Sequence, residues 1–312
     1  MKRFKNILVL LGGVNERDPA LVRATSLAAS NQARLTLVLC LEEFGQDGPG
    51  DELRQVIVAG LRVRLLALAD DLRQRGVQTD VDILFGRTFI EAIVRVLRHQ
   101  HDLVIKTARG FRADPLLGFG STDMHLLRKC PCPVWMIHPE GGLYGSSHSG
   151  GIMAAVDPDP ANATKHALST MIMQLATSLS LLEERPLHVV HAWHMPAQTT
   201  FINSPWLRIT EADLERYATE VRETQRSRFD SLIAEFRPLV PSMQVQFPEG
   251  LPERVIPRLA RENDVEVIVM ATVGRTGVPG LIIGNVAESV LSQVDCSVLA
   301  IKPANFVSPV AA

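Results

Sequence analysis

Few side chains in this sequence have the type and spacing to do chemistry, and most of them follow two apolar runs. Asp157 follows Ile152 to Val156. Gly274-Arg275-Thr276-Gly277 follows Val267 to Ala271, and Gly284-Asn285 closes the same glycine-rich stretch. An aspartate at the end of a buried strand can accept hydrogen bonds from a base or a sugar. Glycines at the end of a neighbouring strand let backbone N–H groups approach an anion, and Arg275 adds a fixed charge with forked donors. Asn285 reads as the N-cap of a helix, with Glu288 placed to reach back to the cap amide. No Gly-Lys-Ser/Thr closes the stretch, so it is not a P-loop, and it is not a Gly-x-Gly-x-x-Gly dinucleotide fingerprint. Two readings therefore stand side by side: an anion cradle, or a tight connection whose glycines only relieve strain. Asp157 is likewise either a ligand contact or an ordinary turn residue.

Other constellations carry less. His188, His191 and His194 invite a metal, but side chains in a strand alternate faces, and His194 lies past the strand end. The strand-and-turn reading stands ahead, and no metal is expected. Serine, histidine and aspartate have no nucleophile elbow to stand on, and no two carboxylates pair for acid–base work, so no catalytic residue is assigned. The cysteines Cys40, Cys130, Cys132 and Cys296 are too few and scattered for a disulfide scaffold. Cys130-Pro131-Cys132 has one residue between its thiols rather than the two of a redox or zinc knuckle, and both read as packed thiols. A reducing compartment fits them.

The 312 residues suit two domains, with 46% hydrophobic and 21% charged residues. The net charge of −2 offers no basic excess for a polyanion, so nucleic acid is not an expected partner. No apolar run approaches bilayer length, and the charged start lacks a cleavage signature, so the expected location is the cytoplasm, without a membrane partner.

The elements that must position these residues come in two copies. Asp102 to Gly110 matches Glu266 to Gly274 at an offset of about 164 residues, which persists through Gly120-Ser121 against Gly284-Asn285 and Cys132 to Ile137 against Cys296 to Ile301. Each copy alternates strands with helices, which implies a parallel sheet with right-handed crossovers. The expected boundaries are a first domain at 1–140, a linker at 141–150, a second domain at 151–304 and a tail at 305–312. In the first copy the expected elements are strands Asn6 to Leu11, Arg34 to Leu41, Val77 to Phe85, Leu103 to Thr107 and Val134 to His138. Between them come helices Pro19 to Asn31, Leu53 to Leu72 ended by Gly76, Thr88 to His99 and Thr122 to Lys129. In the second copy the expected strands are Ile152 to Val156, Leu187 to Trp193, Met243 to Phe247, a run from Val267 and Ser297 to Lys302. The helices are Ala161 to Ser180, a long stripe from Leu214 to Phe236, Pro252 to Glu262 and a segment from Asn285. The first copy is the poorer anion site, because Ala113 replaces the second glycine, Gly12 stands opposite Asp157, and Asp123 puts a carboxylate in the first turn of the following helix. Phe201, Ile202 and Trp206, in a polar loop, either cover a sheet edge, pack on the other half or line a pocket.

The repeat, Val156-Asp157 and Gly274-Arg275-Thr276-Gly277 with Gly284-Asn285 together resemble the universal stress protein family, in its tandem, E-type branch. His125 to Pro131 and Gly250 to Pro257 support that branch. The resemblance implies two tandem flavodoxin-like domains, each a five-stranded, mostly parallel α/β sheet with helices on both faces. They would form an intramolecular pseudo-dimer through Val134 to His138 and Val298 to Lys302. It implies a stress-response protein that is not an enzyme, or at most a weak ATPase, with ATP or another nucleotide in the second domain. The residues carried over for a nucleotide or phosphate are Asp157, Ala192, Gly274, Arg275, Gly277, Gly284 and Asn285, with Ala192 near the adenine. Family members that bind ATP place about nine residues between Gly-x-x-Gly and Gly-Ser/Thr. Here only six residues separate Gly277 from Gly284, and Asn285 replaces the hydroxyl residue. An interaction scaffold or apolar-ligand binder is the alternative function, and the sequence leaves room for a homodimer.

Overall fold

The computed structural model describes residues 4–43, 49–108, 119–140, 150–195, 210–272 and 283–311. The first repeat runs β1 (Asn6–Leu11), α1 (Pro19–Asn31), β2 (Arg34–Leu41), α2 (Pro49–Gln74), β3 (Thr79–Phe85), α3 (Thr88–His99), β4 (Leu103–Thr107), α4 (Ser121–Lys129) and β5 (Val134–Ile137). The second runs β6 (Gly151–Ala155), α5 (Ala163–Glu183), β7 (Leu187–Val190), α6 (Glu211–Phe236), β8 (Gln244–Gln246), α7 (Pro252–Glu262), β9 (Val265–Ala271), α8 (Asn285–Leu291) and β10 (Ser297–Ile301). Two compact units emerge from the contacts: Met1–His148 with Thr272–Ala312, and Ser149–Ala271.

In the first unit β3, β2, β1, β4 and β5 lie side by side in that order, all parallel. β10 pairs antiparallel with β5, with Leu299 opposite Trp135. The central strands β1 and β4 are near-continuous apolar runs, as burial on both faces requires. β3, at the edge, keeps the half-exposed character that its alternating aspartates predict. α2 ends at a left-handed glycine, Gly76 (φ 83°), whose N–H returns to the Arg73 carbonyl while Val77 N–H reaches that of Leu72. In the second unit the order is β9-β6-β7-β8, again all parallel. β7 is shorter than expected: its ladder stops at Val190, and Trp193 regains sheet contact through a single bridge to Glu249.

The two longest helices depart from their apolar stripes. In α2 the buried residues are Leu65, Leu68, Ala69 and Leu72, while Leu53 and Val56 are exposed. In α6 the buried set is Phe229, Leu232, Ile233 and Phe236, and Tyr217 is exposed. Only the C-terminal half of each reaches a core. Among the described residues, no helix is long and apolar enough to cross a membrane. The segment with Phe201, Ile202 and Trp206, and the span 141–149, lie outside the described residues.

Candidate ligand site at the sheet edge

The second unit places β6 at its centre. The chain goes from β6 to β7 and β8 on one side, then returns to β9 on the other. The strand order therefore reverses between β6 and β9. In doubly wound sheets, the crevice beyond the carboxyl ends at such a reversal is where ligands bind.

Asp157 lies two residues past the end of β6, with an exposed carboxylate. Its Oδ2 is 2.7 Å from Lys165 Nζ, in the first turn of α5. That turn is held by Asn162, whose side chain accepts from the Lys165 N–H at 3.1 Å. An ion pair this exposed contributes about 0–1 kcal/mol, so redirecting the carboxylate to a ligand costs little.

Ala192 is buried just beyond β7. Its path is fixed from both sides, because His191 N–H donates to Gln246 O at 3.1 Å and Trp193 N–H to Pro248 O at 3.1 Å. The His191 ring bridges the two strand ends. Its Nδ1 is 3.0 Å from the Val156 carbonyl, and its Nε2 is 3.1 Å from the Gln225 side chain on α6. Burial lowers the His191 pKa, against the opposing pull of Asp157, so the ring is neutral near pH 7. A neutral ring that donates from Nδ1 can only accept at Nε2, so Gln225 must present its NH2 group. Phe229 and Phe247 pack against this imidazole with ring centroids 5.5 and 5.7 Å away. Trp193 stacks on Phe247, and the Arg226 guanidinium lies 5.5 Å from the Phe247 ring centre. The edge thus joins an exposed carboxylate–ammonium pair to an aromatic wall.

Gly284 and Asn285 belong to the first unit. The Gly284 N–H donates to the Thr272 carbonyl at 2.8 Å, so the two ends of the glycine-rich stretch are tied together. Asn285 is not the N-cap. Gly284 takes that place, its carbonyl accepting from Glu288 N–H at 2.9 Å, and exposed Asn285 is the first helical residue. The expectation placed the cap one residue late because Asn is the better cap by type, whereas the bond to Thr272 fixes Gly284 in the extended conformation a cap needs. Gly274, Arg275 and Gly277 lie outside the described residues.

The first repeat fills the corresponding places with its own side chains. Asp18 caps α1, accepting from Ala20 N–H at 2.9 Å and from the Thr107 hydroxyl, at the end of β4, at 2.6 Å. Lys106 and Asp123 form a buried ion pair at 2.6 Å, with side chains 7% and 1% exposed. Asp123 also accepts from Gly120 N–H at 3.3 Å, so a carboxylate of the chain itself sits at the start of α4. At the matching positions the second repeat has Met270 and Ala287. The repeat itself is visible in equivalent bonds: Ala108 N–H to Ile137 O at 2.9 Å, and Thr272 N–H to Ile301 O at 3.1 Å.

The histidines are not gathered. His188 is buried within β7 beside Gly151, where an added Cβ would come within 2.7 Å of its ring. His191 faces Val156 instead. Among the described residues, no group of three or more His, Cys, Asp or Glu could hold a metal. Lys165, Gln225 and Phe247 escaped the sequence reading. Only the position of Lys165, three residues past a capping Asn, marked it, since that places it in a first helical turn beside Asp157.

A repeated α/β unit of parallel strands, with the strand order reversing beside the first strand, places the chain among doubly wound α/β folds. The universal stress protein family model matches residues 3–138 and 151–302, and the chain belongs to that family, in two tandem domains. Universal stress protein E of Escherichia coli K12 is 28% identical over 318 aligned residues, covering 99% of this chain and 98% of the relative. A Universal stress protein E homolog of Haemophilus influenzae is 27% identical, covering 96% and 98%. A functionally unknown protein from Pseudomonas aeruginosa has a solved structure with TM-score 0.69 and 26% identity, covering 97% of this chain and 94% of that one.

Proposed function

We propose that this chain is a non-enzymatic, cytoplasmic stress-response protein whose second repeat, 151–304, holds a nucleotide or another phosphate ligand. The reading rests on one observation: β6 and β9 are parallel neighbours at the strand-order reversal, with Asp157 at the end of β6. Asp157 would take a sugar or base, and the wall near Ala192 an adenine-like ring. Gly274, Arg275, Gly277, Gly284 and Asn285 would surround phosphate. The Asp123 carboxylate of the first repeat argues that this ligand belongs to the second repeat alone. The antiparallel pairing of β5 with β10 supports a pseudo-dimer of the two repeats inside one chain.

A thermal-shift titration of the full chain with ATP, beside Asp157→Ala and Gly277→Val, tests the reading. The expected result is a saturable rise in Tm for the native protein that is lost in Gly277→Val and weakened about tenfold in midpoint by Asp157→Ala. A flat titration with ATP, together with no nucleotide released on denaturing gently purified protein, would remove the nucleotide from this proposal. Release of phosphate during the titration would replace the non-enzymatic reading with the ATPase one.

A further inference from the structure

The turn from α4 into β5, Cys130-Pro131-Cys132, brings two thiol sulfurs to 3.6 Å. Cys130 closes α4, its N–H bonding Leu126 O at 3.0 Å, and its side chain is fully buried. Cys132 is half-buried, the more exposed residue of the pair. Beside them lies Lys302, 5% exposed, whose Nζ donates to the Leu127 carbonyl and, at 3.2 Å, to the Thr272 hydroxyl. An ammonium in such a site needs a compensating negative charge. Burial disfavours the ammonium and lowers its pKa to about 8, while the two sulfurs, when ionised, and the Phe306 ring, 5.0 Å from Nζ, favour it. Burial of Cys130 opposes its ionisation, but the bond from the Cys132 thiol and the charge of Lys302 outweigh it and hold the Cys130 thiol below its usual range, while the same bond, with burial, pushes the Cys132 thiol up.

Two sulfurs in contact with a buried lysine alongside make a reactive dithiol rather than inert packing. A metal is the poorer occupant, since among the described residues no third ligand joins the pair. We propose that Cys130 and Cys132 form a peroxide-responsive dithiol that closes reversibly to a disulfide. As its proton passes to the Cys130 sulfur, Cys132, the more exposed residue of the two, attacks one oxygen of a peroxide. The O–O bond breaks, Cys132 becomes a sulfenic acid, and the departing hydroxide is protonated to water or, for an organic peroxide, the alkoxide to an alcohol. The Cys130 sulfur then attacks the Cys132 sulfur. The S–OH bond breaks, hydroxide leaves and takes up a proton as water, and the S–S bond forms. Two electrons pass from the sulfurs to the peroxide. For hydrogen peroxide the sum is two thiols and one peroxide giving one disulfide and two waters. If the pair starts with one proton, the second is drawn from solvent.

The test uses the folded full chain and stoichiometric hydrogen peroxide. The protein is then denatured, alkylated and mapped by peptide mass. The expected product is a peptide carrying Cys130 and Cys132 two hydrogens lighter and unalkylated, with Cys40 and Cys296 alkylated and dithiothreitol restoring both thiols. In Cys130→Ser the Cys132 sulfenic acid should persist and be captured by dimedone, and in Cys132→Ser oxidation at Cys130 should slow about tenfold or more. Full alkylation of both residues in native protein, under conditions that oxidise Cys40, would overturn the proposal. So would direct passage of Cys132 to the sulfinic acid with no disulfide on the way. The native-protein mapping decides the matter even if a serine variant fails to fold.

Discussion

Buried ionisable side chains make this protein's stability depend on single residues. His101 is 4% exposed, and its Nε2 is 3.1 Å from the Thr36 hydroxyl. Burial pushes its pKa down from 6.5 to about 4. Between those two values the unfolded chain binds the proton and the folded chain does not. Stability contributed by neutral His101 is therefore complete above pH 6.5 and is lost as pH falls toward 4, by about 3 kcal/mol at most. Urea melts of the native protein and His101→Gln at intervals across that range should converge toward low pH; parallel curves would show that His101 titrates normally. The Lys106–Asp123 pair makes a second case. Asp123→Ala alone leaves a buried ammonium and should cost about 3–5 kcal/mol, whereas the double change Lys106→Met with Asp123→Ala, borrowing Met270 and Ala287 from the second repeat, should recover most of it. A double variant as unstable as the single would mean that the pair contributes beyond mutual neutralisation.

Among the elements, period was easier to read than depth. The stripe in α2 correctly announces a helix, and so does that in α6, yet in both the apolar groups of the N-terminal half stay half-buried or exposed. A stripe records which side chains share a face; how far the underlying sheet extends is a tertiary fact that no local spacing carries. Within α2 this gives a sharp contrast. Leu53→Ser should change stability by less than about 0.5 kcal/mol, while Leu72→Ala, at a side chain 1% exposed, should cost about 2–5 kcal/mol. Equal losses in denaturant melts would mean that the N-terminal half of α2 is covered. Strands were legible for the opposite reason: β1, β4 and β9 are mostly apolar because both faces are buried, so composition alone marks them. The candidate site was half legible. Asp157 could be placed at a strand end because strand and turn are local, and the neighbouring of β6 with β9 was a condition the sequence could only state. Lys165 and Gln225 reach the same edge from α5 and α6, and no motif joins those residues.

At the scale of the whole molecule, repeat and compact unit do not share a boundary. The repeat in the sequence divides the chain near 141–150, and the family match ends and resumes at 138 and 151. The contacts instead group Thr272–Ala312 with the first 148 residues. The reason lies in β10, whose Val298, Leu299 and Ala300 are opposite Met136, Trp135 and Val134 of β5. Every one of these six side chains is at most 3% exposed, so the pairing encloses apolar surface as well as satisfying backbone groups. A sequence repeat records how the gene was built, whereas stability follows burial, and the two need not divide the chain at one place. Native-state hydrogen exchange at rising denaturant distinguishes them. If burial decides, amides of Ser297–Ile301 should open at the same free energy as those of Val134–Ile137, and Leu299→Ala should lower both together by about 2–5 kcal/mol. Exchange of β10 in step with β6 and β7, while β5 stays protected in that variant, would place the cooperative boundary at the repeat junction instead.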